Sequence, residues 1–294
     1  MITITGITGK VGGELGRTLL ASGQLVRAVV RDADKGRAWA ARGCEVALAT
    51  MEDAAALTRA LTGATAAFIL PPPVFDPAPG YPEARAVIGA VVEALKAARP
   101  SKVVCLSTIG VDAPHDNLLS QRTLMEVALR ELPLPLTILR PAWFIDNVVW
   151  DIASARDTGI LHSFLQPLDK AFPMVAAKDV GRLAADLLRE DWTGTRVVEL
   201  EGPARVTPND LANTLATALG KPVRAEPVPR ASWEALFRGQ GMKNPGPRVR
   251  MLDGFNEGWI EFQAGGRGTI QGRTRVGEVI DALVADADER PTGV

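Results

Sequence analysis

The sequence predicts an α/β fold in which a doubly wound parallel sheet carries helices on both faces. Short apolar runs alternate with segments of helical periodicity along most of the 294 residues, as parallel strands joined by crossover helices require. The run 102–107 is apolar almost throughout, which is typical of a strand buried on both faces. A glycine-rich turn joins the first strand, within residues 1–5, to the first helix.

The remaining elements follow the same alternation. An apolar stripe from Val11 to Leu20 predicts the first helix, Gly23 marks its end, and residues 25–30 form the second strand. Further strands are predicted at 45–48, 66–70, 102–107, 136–140, 196–200 and 223–228. Further helices are predicted at 52–61, 83–98, 118–131, 231–237 and 276–284. We expect a mobile lid at 239–246, which is rich in Gly, Asn and Pro, and an acidic, frayed tail at 285–294.

The turn after the first strand has the spacing of a phosphate-binding loop. Gly6 permits the sharp turn, Gly9 lets the backbone approach phosphate groups, and Gly12 lets the helix pack closely on the strand. The free amides and the dipole at the helix start attract an anion. We therefore predict a Rossmann-type dinucleotide site, with a plain glycine-rich turn as the alternative. Its predicted cofactor contacts are Gly6, Thr8, Gly9, Lys10, Val11 and Gly12.

The end of the second strand predicts which dinucleotide binds. A carboxylate there accepts hydrogen bonds from the ribose of NAD, whereas an arginine accommodates the 2′-phosphate of NADP. Arg31 stands at the strand end, with Lys35 and Arg37 just beyond it. We predict that NADP(H) is preferred and that Arg31 and Lys35 contact it. Asp32 keeps NAD(H) as one alternative. The other alternative is that these residues form a solvated basic turn that binds no cofactor.

The carboxyl ends of the fourth and fifth strands complete the predicted cofactor site. Proline residues 71–73 end the fourth strand abruptly and begin a stiff loop. This loop either lies beside a ligand or is a plain connector. The predicted contacts here are Leu70, Pro71, Ser107 and Thr108. We assign residues 1–150 to a dinucleotide-binding domain whose sheet is completed by strands within 170–201. Residues 151–294 form a smaller α/β region on the substrate side.

Composition is that of an ordinary enzyme. The 33 basic and 34 acidic residues nearly cancel and are interspersed, so we expect no nucleic-acid partner. No apolar run is long enough for a membrane span, no signal peptide precedes the first strand, and we expect a cytoplasmic location. Cys44 and Cys105 lie in apolar stretches and are predicted to be reduced and buried. No metal-site spacing occurs, and a homodimer is compatible with the sequence.

Four segments together resemble a known family. Residues 5–12, 30–32, 106–110 and above all 137–147, which reads Thr-Ile-Leu-Arg-Pro-Ala-Trp-Phe-Ile-Asp-Asn, are similar to the NmrA-like branch of the atypical short-chain dehydrogenases. The resemblance covers most of the chain. It implies either an NAD(P)H-dependent quinone or dye reductase, or a redox sensor that binds the cofactor without turning it over.

The catalytic tyrosine of many short-chain dehydrogenases is missing. Residues 117–125, where it would stand, contain no tyrosine, and no lysine occurs between Lys102 and Lys170. The chain's one tyrosine, Tyr81, precedes the serine strand, and we interpret its Tyr-x-x-x-Arg spacing as coincidence. Hydride transfer to a quinone-like acceptor does not need a tyrosine acid of this kind, because the developing hydroquinone oxygen is far less basic than an alkoxide. Positioning and a few hydrogen-bond donors suffice.

The remaining candidates lie near the strand ends. Ser107 and His115 are the candidate catalytic donors. Alternatively, Ser107 only caps the end of its strand and His115 is only a solvated loop residue. Arg140 ends a buried strand and is expected to form an ion pair. The candidate substrate residues are Trp143, Phe144 and Asn147. The sequence thus favours an NADPH-dependent reductase of a small planar acceptor, with a cofactor-binding sensor that acts on a protein partner as the alternative.

Overall fold

The computed structural model describes residues 1–289 and contains a doubly wound parallel sheet. Its strands, in chain order, are β1 (Ile2–Ile4), β2 (Val26–Val30), β3 (Glu45–Leu48), β4 (Ala66–Ile69), β5 (Lys102–Leu106), β6 (Leu136–Pro141), β7 (Trp143–Phe144), β8 (Ile160–Ser163), β9 (Met174–Val175), β10 (Thr195–Glu201), β11 (Arg224–Pro227) and β12 (Ile270–Gln271). Eight of them form the main sheet in the order β12-β10-β6-β5-β4-β1-β2-β3, and all neighbours are parallel. This confirms the predicted fold class.

The order of the strands creates a ligand crevice. From β1 the chain adds β2 and β3 on one side and then returns to place β4, β5 and β6 on the other. The crossover connections therefore run in opposite directions on the two sides of β1. In sheets of this kind, ligands bind outside the carboxyl ends of the strands where the direction reverses. The glycine turn follows β1 directly, so it lies in the middle of this crevice.

Helices cover both faces of the sheet. They are α1 (Lys10–Ala21), α2 (Ala33–Ala40), α3 (Ala54–Leu61), α4 (Pro82–Ala98), α5 (Ser120–Arg130), α6 (Ile152–Thr158), α7 (Ala177–Arg189), α8 (Pro208–Leu219), α9 (Trp233–Gly239), α10 (Gly246–Glu257) and α11 (Val276–Glu289). Helices α1 and α7 pack together on one face, and α3, α4 and α5 pack on the other. Each face of the sheet has its own hydrophobic core. Along β4, Phe68 belongs to the core beneath α1 and α7 and Ile69 to the core beneath α3, α4 and α5, and both side chains are almost wholly buried. That is why the central strands are apolar at successive positions.

Several boundaries and elements differ from the sequence prediction. Helix α2 was not predicted, because Gly36 and Trp39 are its only buried residues and the rest of it is polar or small. The strand predicted at 223–228 is present as β11, and it pairs with β8 in a separate two-stranded sheet. Helix α11 continues to Glu289, so the tail predicted from residue 285 is wrong for its first five positions. The tail residues 290–294 lie outside the described residues.

Three further expectations concern the cysteines, membrane spans and the division into domains. Cys44 and Cys105 are buried and unpaired, as predicted. None of the helices within residues 1–289 combines the length and the apolar run that a membrane crossing needs. Strands β10 and β12 come from beyond residue 150 and complete the main sheet, and the division into a dinucleotide domain and a substrate-side region stays a prediction.

Candidate functional site

Thr5 joins the carboxyl ends of β1 and β4 at the centre of the crevice. Its amide and its hydroxyl donate to the carbonyl oxygen of Phe68 at 3.0 and 3.1 Å. The amide of Leu70 donates in turn to the Thr5 hydroxyl at 2.8 Å. Because of these bonds Leu70 is held against Gly6, where an added Cβ would lie 3.2 Å from the leucine side chain. The predicted contacts Gly6 and Leu70 are therefore neighbours.

The three glycines of the turn have different surroundings. Gly6 has φ of +66°, a conformation that side chains disfavour, so it is required by the turn itself. A Cβ on Gly12 would lie 2.3 Å from the Gly6 carbonyl oxygen, so only a glycine allows the helix to approach this closely. A Cβ on Gly9 would meet only that same oxygen, at an ordinary 3.5 Å. Within residues 1–289 nothing therefore requires a glycine at position 9, and the space beside it is open to a ligand.

The amides at the start of helix α1 are not capped by a side chain. Its N-cap, Gly9, has no side chain to cap the helix, and its first turn carries no acidic residue. Thr8 is exposed and Val11 is buried. The Lys10 ammonium lies 3.1 Å from Asp146, whose other oxygen accepts from the amide of Ala177 at 2.8 Å, at the start of α7. The segment after β6 is thereby fastened to the glycine turn, and sequence reasoning missed this role of Asp146 although the residue lies in the 137–147 segment.

The basic cluster after β2 separates into paired and unpaired charges. Arg37 forms an ion pair with Asp34 at 2.5 Å, so its charge is already engaged. Arg31 and Lys35 are exposed, and neither has an ion pair among residues 1–289. Asp32, the residue that favours NAD, caps helix α2 by accepting from the amide of Asp34 at 2.8 Å. The carboxylate thus has a structural use, and the two free cations are those that the sequence predicted for a 2′-phosphate.

Ser107 belongs to a buried polar network at the end of β5. Its hydroxyl donates to Glu126 on α5, and the same carboxylate accepts from Arg140 Nε at 3.0 Å and Nη2 at 2.7 Å. The side chains of Arg140 and Glu126 are 3% and 5% exposed. Arg140 also donates to Asp112 at 2.6 Å. The predicted ion pair of Arg140 is confirmed, whereas the catalytic role of Ser107 stays a prediction because its hydroxyl is directed at Glu126.

The charges around Arg140 decide its protonation. Burial alone would disfavour the charged guanidinium, but the hydrogen bonds and the charges of Glu126 and Asp112 outweigh it and raise the pKa of Arg140. The arginine is therefore a permanent cation that orders the ends of β5 and β6. Thr108, next to Ser107, is half-buried.

Two of the remaining predicted residues contact the C-terminal part of the chain. His115 is exposed and stands edge-on to Trp259, with ring centres 5.1 Å apart. Trp143 packs in the same manner on Phe255 of α10, at 5.2 Å. Phe144 is half-buried and Asn147 is exposed. Pro71 is buried, and its carbonyl oxygen accepts from Arg122 of α5 at 3.1 Å. The substrate-side roles of Trp143, Phe144 and Asn147 stay predictions, as does that of His115.

A cavity of about 600 Å³ lies beside the crevice, and we call it the loop cavity. It is lined by residues 77–81 after β4, by Val111, Ala113 and Asp116 after β5, by Ser120, Thr123 and Leu124 of α5, by Arg85, Glu234 and Arg238, and by residues 243–247. The glycine turn, Ser107 and His115 are not among its lining residues. The predicted cofactor contacts therefore lie outside this cavity and stay predictions, whereas the loop after β4, predicted to lie beside a ligand or to be a plain connector, forms one of its walls.

Tyr81 is the part of the loop cavity that sequence reasoning dismissed. It has φ of +58°, a strained value for a residue with a side chain, and it precedes α4. Its hydroxyl donates to the carbonyl oxygen of Asn117 at 3.0 Å. Burial raises the pKa of Tyr81, and the charge of Asp116 adds to this. The phenol thus reaches Asn117, which precedes α5 and belongs to the segment 117–125 where the tyrosine of many short-chain dehydrogenases would stand.

The predicted lid is tethered rather than free. Both oxygens of Asp76 accept backbone amides from this segment, from Lys243 at 2.8 Å and from Asn244 at 2.7 Å. These two bonds lower the pKa of Asp76, and the nearby positive charges of Lys243 and Arg238 lower it further. Helix α10 begins at Gly246, inside the predicted lid. The segment therefore closes one side of the loop cavity.

Comparison with known proteins places the chain in a family. Residues 1–245 match the profile of the NmrA-like family. The chain is 28% identical over 260 residues to an NAD(P)H azoreductase of Xenophilus azovorans, covering 87% of this chain and 85% of that protein. It is 29% identical over 247 residues to quinone oxidoreductase 2 of Escherichia coli, covering 82% of each.

Solved structures show the same fold. An NADPH-dependent quinone oxidoreductase from Escherichia coli, solved with NADPH, superposes with a TM-score of 0.79 at 24% identity and covers 96% of this chain and 99% of that one. A triphenylmethane reductase from Citrobacter sp. has a TM-score of 0.78 at 21% identity, with coverage of 97% and 99%. The family match extends over most of the chain and includes the glycine turn and the 137–147 segment. The chain belongs to the NmrA-like family.

Proposed function

We propose that the protein is an NADPH-dependent reductase that passes a hydride to a small planar acceptor such as a quinone. The open space beside Gly9 at the uncapped start of α1 carries this proposal, since it is the place where a dinucleotide pyrophosphate binds in such folds. The names of the relatives, an NAD(P)H azoreductase and a quinone oxidoreductase, point to the same chemistry.

The residues present fit the cofactor. The amides at the start of α1 would hold the pyrophosphate, because the helix start has no side-chain cap and no acidic residue in its first turn, and nearby Asp146 is paired with Lys10. Arg31 and Lys35 would hold the 2′-phosphate, since both are exposed and unpaired within the described chain. Thr5 fixes Leu70 at the end of β4, so this strand end forms a rigid wall of the crevice.

The chain's own contribution to the reaction is positioning. NADPH, when bound, supplies the hydride, and the reduced acceptor takes up a proton. A hydroquinone oxygen is far less basic than an alkoxide, so a dedicated tyrosine acid is not required. In keeping with this, α5 has no tyrosine in residues 120–130, Ser107 is bonded to Glu126, and His115 is exposed. The proposed mechanism therefore depends on how the loops after β4, β5 and β6 place the acceptor.

One experiment separates this function from the alternative of a silent sensor. The purified protein is mixed with NADPH and a panel of quinones, and nicotinamide absorbance is followed, while calorimetry measures NADPH binding. Oxidation that depends on the quinone and on the protein supports the reductase. Binding of NADPH without oxidation by any quinone favours a sensor, and the absence of binding contradicts both. A small-molecule acceptor as the partner, a homodimer and a cytoplasmic location stay predictions.

A further inference from the structure

We propose that the loop cavity is the binding site of the acceptor and that it selects a planar aromatic acceptor that carries an acidic group. This inference rests on the proposed reductase function and names the class of substrate. It does not depend on Ser107, His115 or the glycine turn, none of which lines the cavity.

The position of the loop cavity suits an acceptor. Two of its walls are the loops that follow β4 and β5, so it opens at the carboxyl end of the sheet where ligands of this architecture bind. A third wall is the start of α5, through Ser120 and Thr123. The loop after β5 also contains Thr108, a predicted cofactor contact. A molecule in the cavity would therefore share a loop with the cofactor site.

Hydrogen bonds hold the walls of the cavity in place. Asp76 holds the segment at 243–244. The Leu118 amide donates to the Pro247 carbonyl oxygen at 2.9 Å, and the Tyr81 hydroxyl donates to Asn117. These bonds link the loop after β4, the loop after β5 and the segment before α10. A site preformed in this way loses little affinity to loop ordering.

The size and the apolar lining of the cavity fit a flat ring system. Its volume of about 600 Å³ falls within the range of roughly 300–1,000 Å³ usual for small-molecule sites. Pro77, Pro79, Pro245 and Pro247 supply flat, rigid apolar surfaces, and the ring of Tyr81 adds an aromatic one. A flat ring system can stack on such surfaces over its whole face, which favours planar ligands.

The charges of the lining favour an anion. Arg238 is already paired with Glu234 at 2.8 Å. Arg85 and Lys243 also line the cavity, and neither forms an ion pair in the part of the chain that the structure describes. Arg85 Nε donates to the Gly80 carbonyl oxygen at 2.8 Å, which holds the guanidinium at the cavity wall. Within the lining these two cations face one unpaired acid, Asp116, while Asp76 lies near Lys243 but outside the lining. The excess positive charge of the lining suits a sulfonate, carboxylate or phosphate group on the ligand.

Paired substrates test the charge preference. We measure KM and kcat with NADPH for 1,4-naphthoquinone and for its 2-sulfonate, in the unaltered protein and in the double variant Arg85→Gln/Lys243→Gln. The sulfonate should have a KM at least about tenfold lower, since a charge-assisted contact of this kind is worth that much. The double variant should remove this difference and leave the KM of the neutral quinone and the affinity for NADPH unchanged. Lys96→Gln, an exposed change on α4 outside the cavity, is the matched control.

A second measurement separates failure of the site from failure of the function. Calorimetry compares naphthalene-2-sulfonate with the neutral naphthalene-2-sulfonamide, neither of which accepts a hydride, and the two single variants serve if the double variant is unstable. Equal KM values for the two quinones leave the reductase standing and overturn the inference about the site. Sulfonate binding that is lost in the variants while no quinone is reduced supports an aromatic-anion site and overturns the reductase function. Absence of sulfonate binding at millimolar concentration overturns the inference.

Discussion

The hydroxyl of Ser107 donates to the carboxylate of Glu126, and both side chains are buried. Glu126 also accepts two hydrogen bonds from Arg140, so its negative charge is neutralised inside the protein. A buried charge that lost these partners would be costly. Ser107 therefore helps to hold the ends of β5 and β6 in place through Glu126. It can donate a proton in catalysis only when its hydrogen bond to Glu126 is broken.

Replacement of Ser107 by alanine tests its role. We expect kcat with a quinone to stay within about threefold, whereas loss of a true proton donor costs about a hundredfold or more. The free energy of unfolding should fall by about 1 kcal/mol, because Glu126 loses one of its hydrogen bonds while its ion pair remains. Steady-state kinetics and denaturant unfolding measure the two effects. A hundredfold loss of kcat with unchanged affinity for NADPH would instead make Ser107 a catalytic donor.

Two substitutions in the glycine turn should have opposite effects. Gly9→Val should abolish NADPH binding and leave the fold intact, because an added Cβ meets only the Gly6 carbonyl oxygen, at an ordinary 3.5 Å, while the side chain occupies the space beside the helix start. Gly12→Ala should reduce the free energy of unfolding by about 3 kcal/mol or more, since its Cβ would lie 2.3 Å from the Gly6 carbonyl oxygen. Calorimetry with NADPH and denaturant unfolding of both variants distinguish the two effects. Normal binding by Gly9→Val would contradict the phosphate site.

The sequence predicted the sheet well because burial on both faces leaves a direct signature. Strands such as 102–106 are apolar at every position except the first, and the glycine turn has fixed spacing. Helix α2 lacks such a signature, since its polar residues face solvent and its N-cap, Asp32, was interpreted only as a cofactor residue. Local periodicity therefore predicts buried elements and fails where an element packs little of its surface.

The candidate site was only partly predictable. Spacing identified Gly6 and Gly12, because the roles of both depend on neighbours a few residues away. Tyr81 and Asn117 are 36 residues apart, and Asp76 and Lys243 are 167 apart, so no local pattern brings them together. The loop cavity depends on these distant contacts and emerges only from the folded chain.

Cofactor choice should depend on Arg31. We expect NADPH to bind more tightly than NADH, and Arg31→Ala to remove most of the difference, because a contact between phosphate and arginine is worth on the order of 1.5 to 3 kcal/mol, or at least about tenfold in affinity. Calorimetric titration with both cofactors measures this. Arg37→Ala is the control: its guanidinium is paired with Asp34, and its loss should leave the preference unchanged. Equal affinities in the unaltered protein would contradict the assignment.

Asp151 should make a pH-dependent contribution to stability. Burial raises the pKa of this carboxyl to about 7. Because the unfolded chain releases the proton near its ordinary pKa of about 3.9, the contribution of Asp151 to stability should be greatest below that pH and should fall as the pH rises to 7. Asp151→Asn should be more stable than the unaltered protein by on the order of 2 kcal/mol at pH 8, after a reduction for the side chain's partial exposure, and equal to it at pH 4. Denaturant unfolding at both pH values measures this, with the exposed Asp157→Asn of the same helix as control. A pH-independent difference would contradict the assignment.

Tyr81→Phe tests whether the reaction uses a tyrosine acid. The Tyr81 hydroxyl already donates to the Asn117 carbonyl oxygen, and burial raises its pKa, so it is a poor proton donor to an acceptor. We expect kcat to stay within about threefold, compared with about a hundredfold for the loss of a general acid. The KM of a quinone should change little, because phenylalanine keeps the ring on the cavity wall, while the free energy of unfolding should fall by about 1 kcal/mol with the lost hydrogen bond. Kinetics at saturating NADPH and denaturant unfolding provide both values. If kcat fell a hundredfold while NADPH bound normally, the positioning mechanism would be wrong and Tyr81 would be the acid.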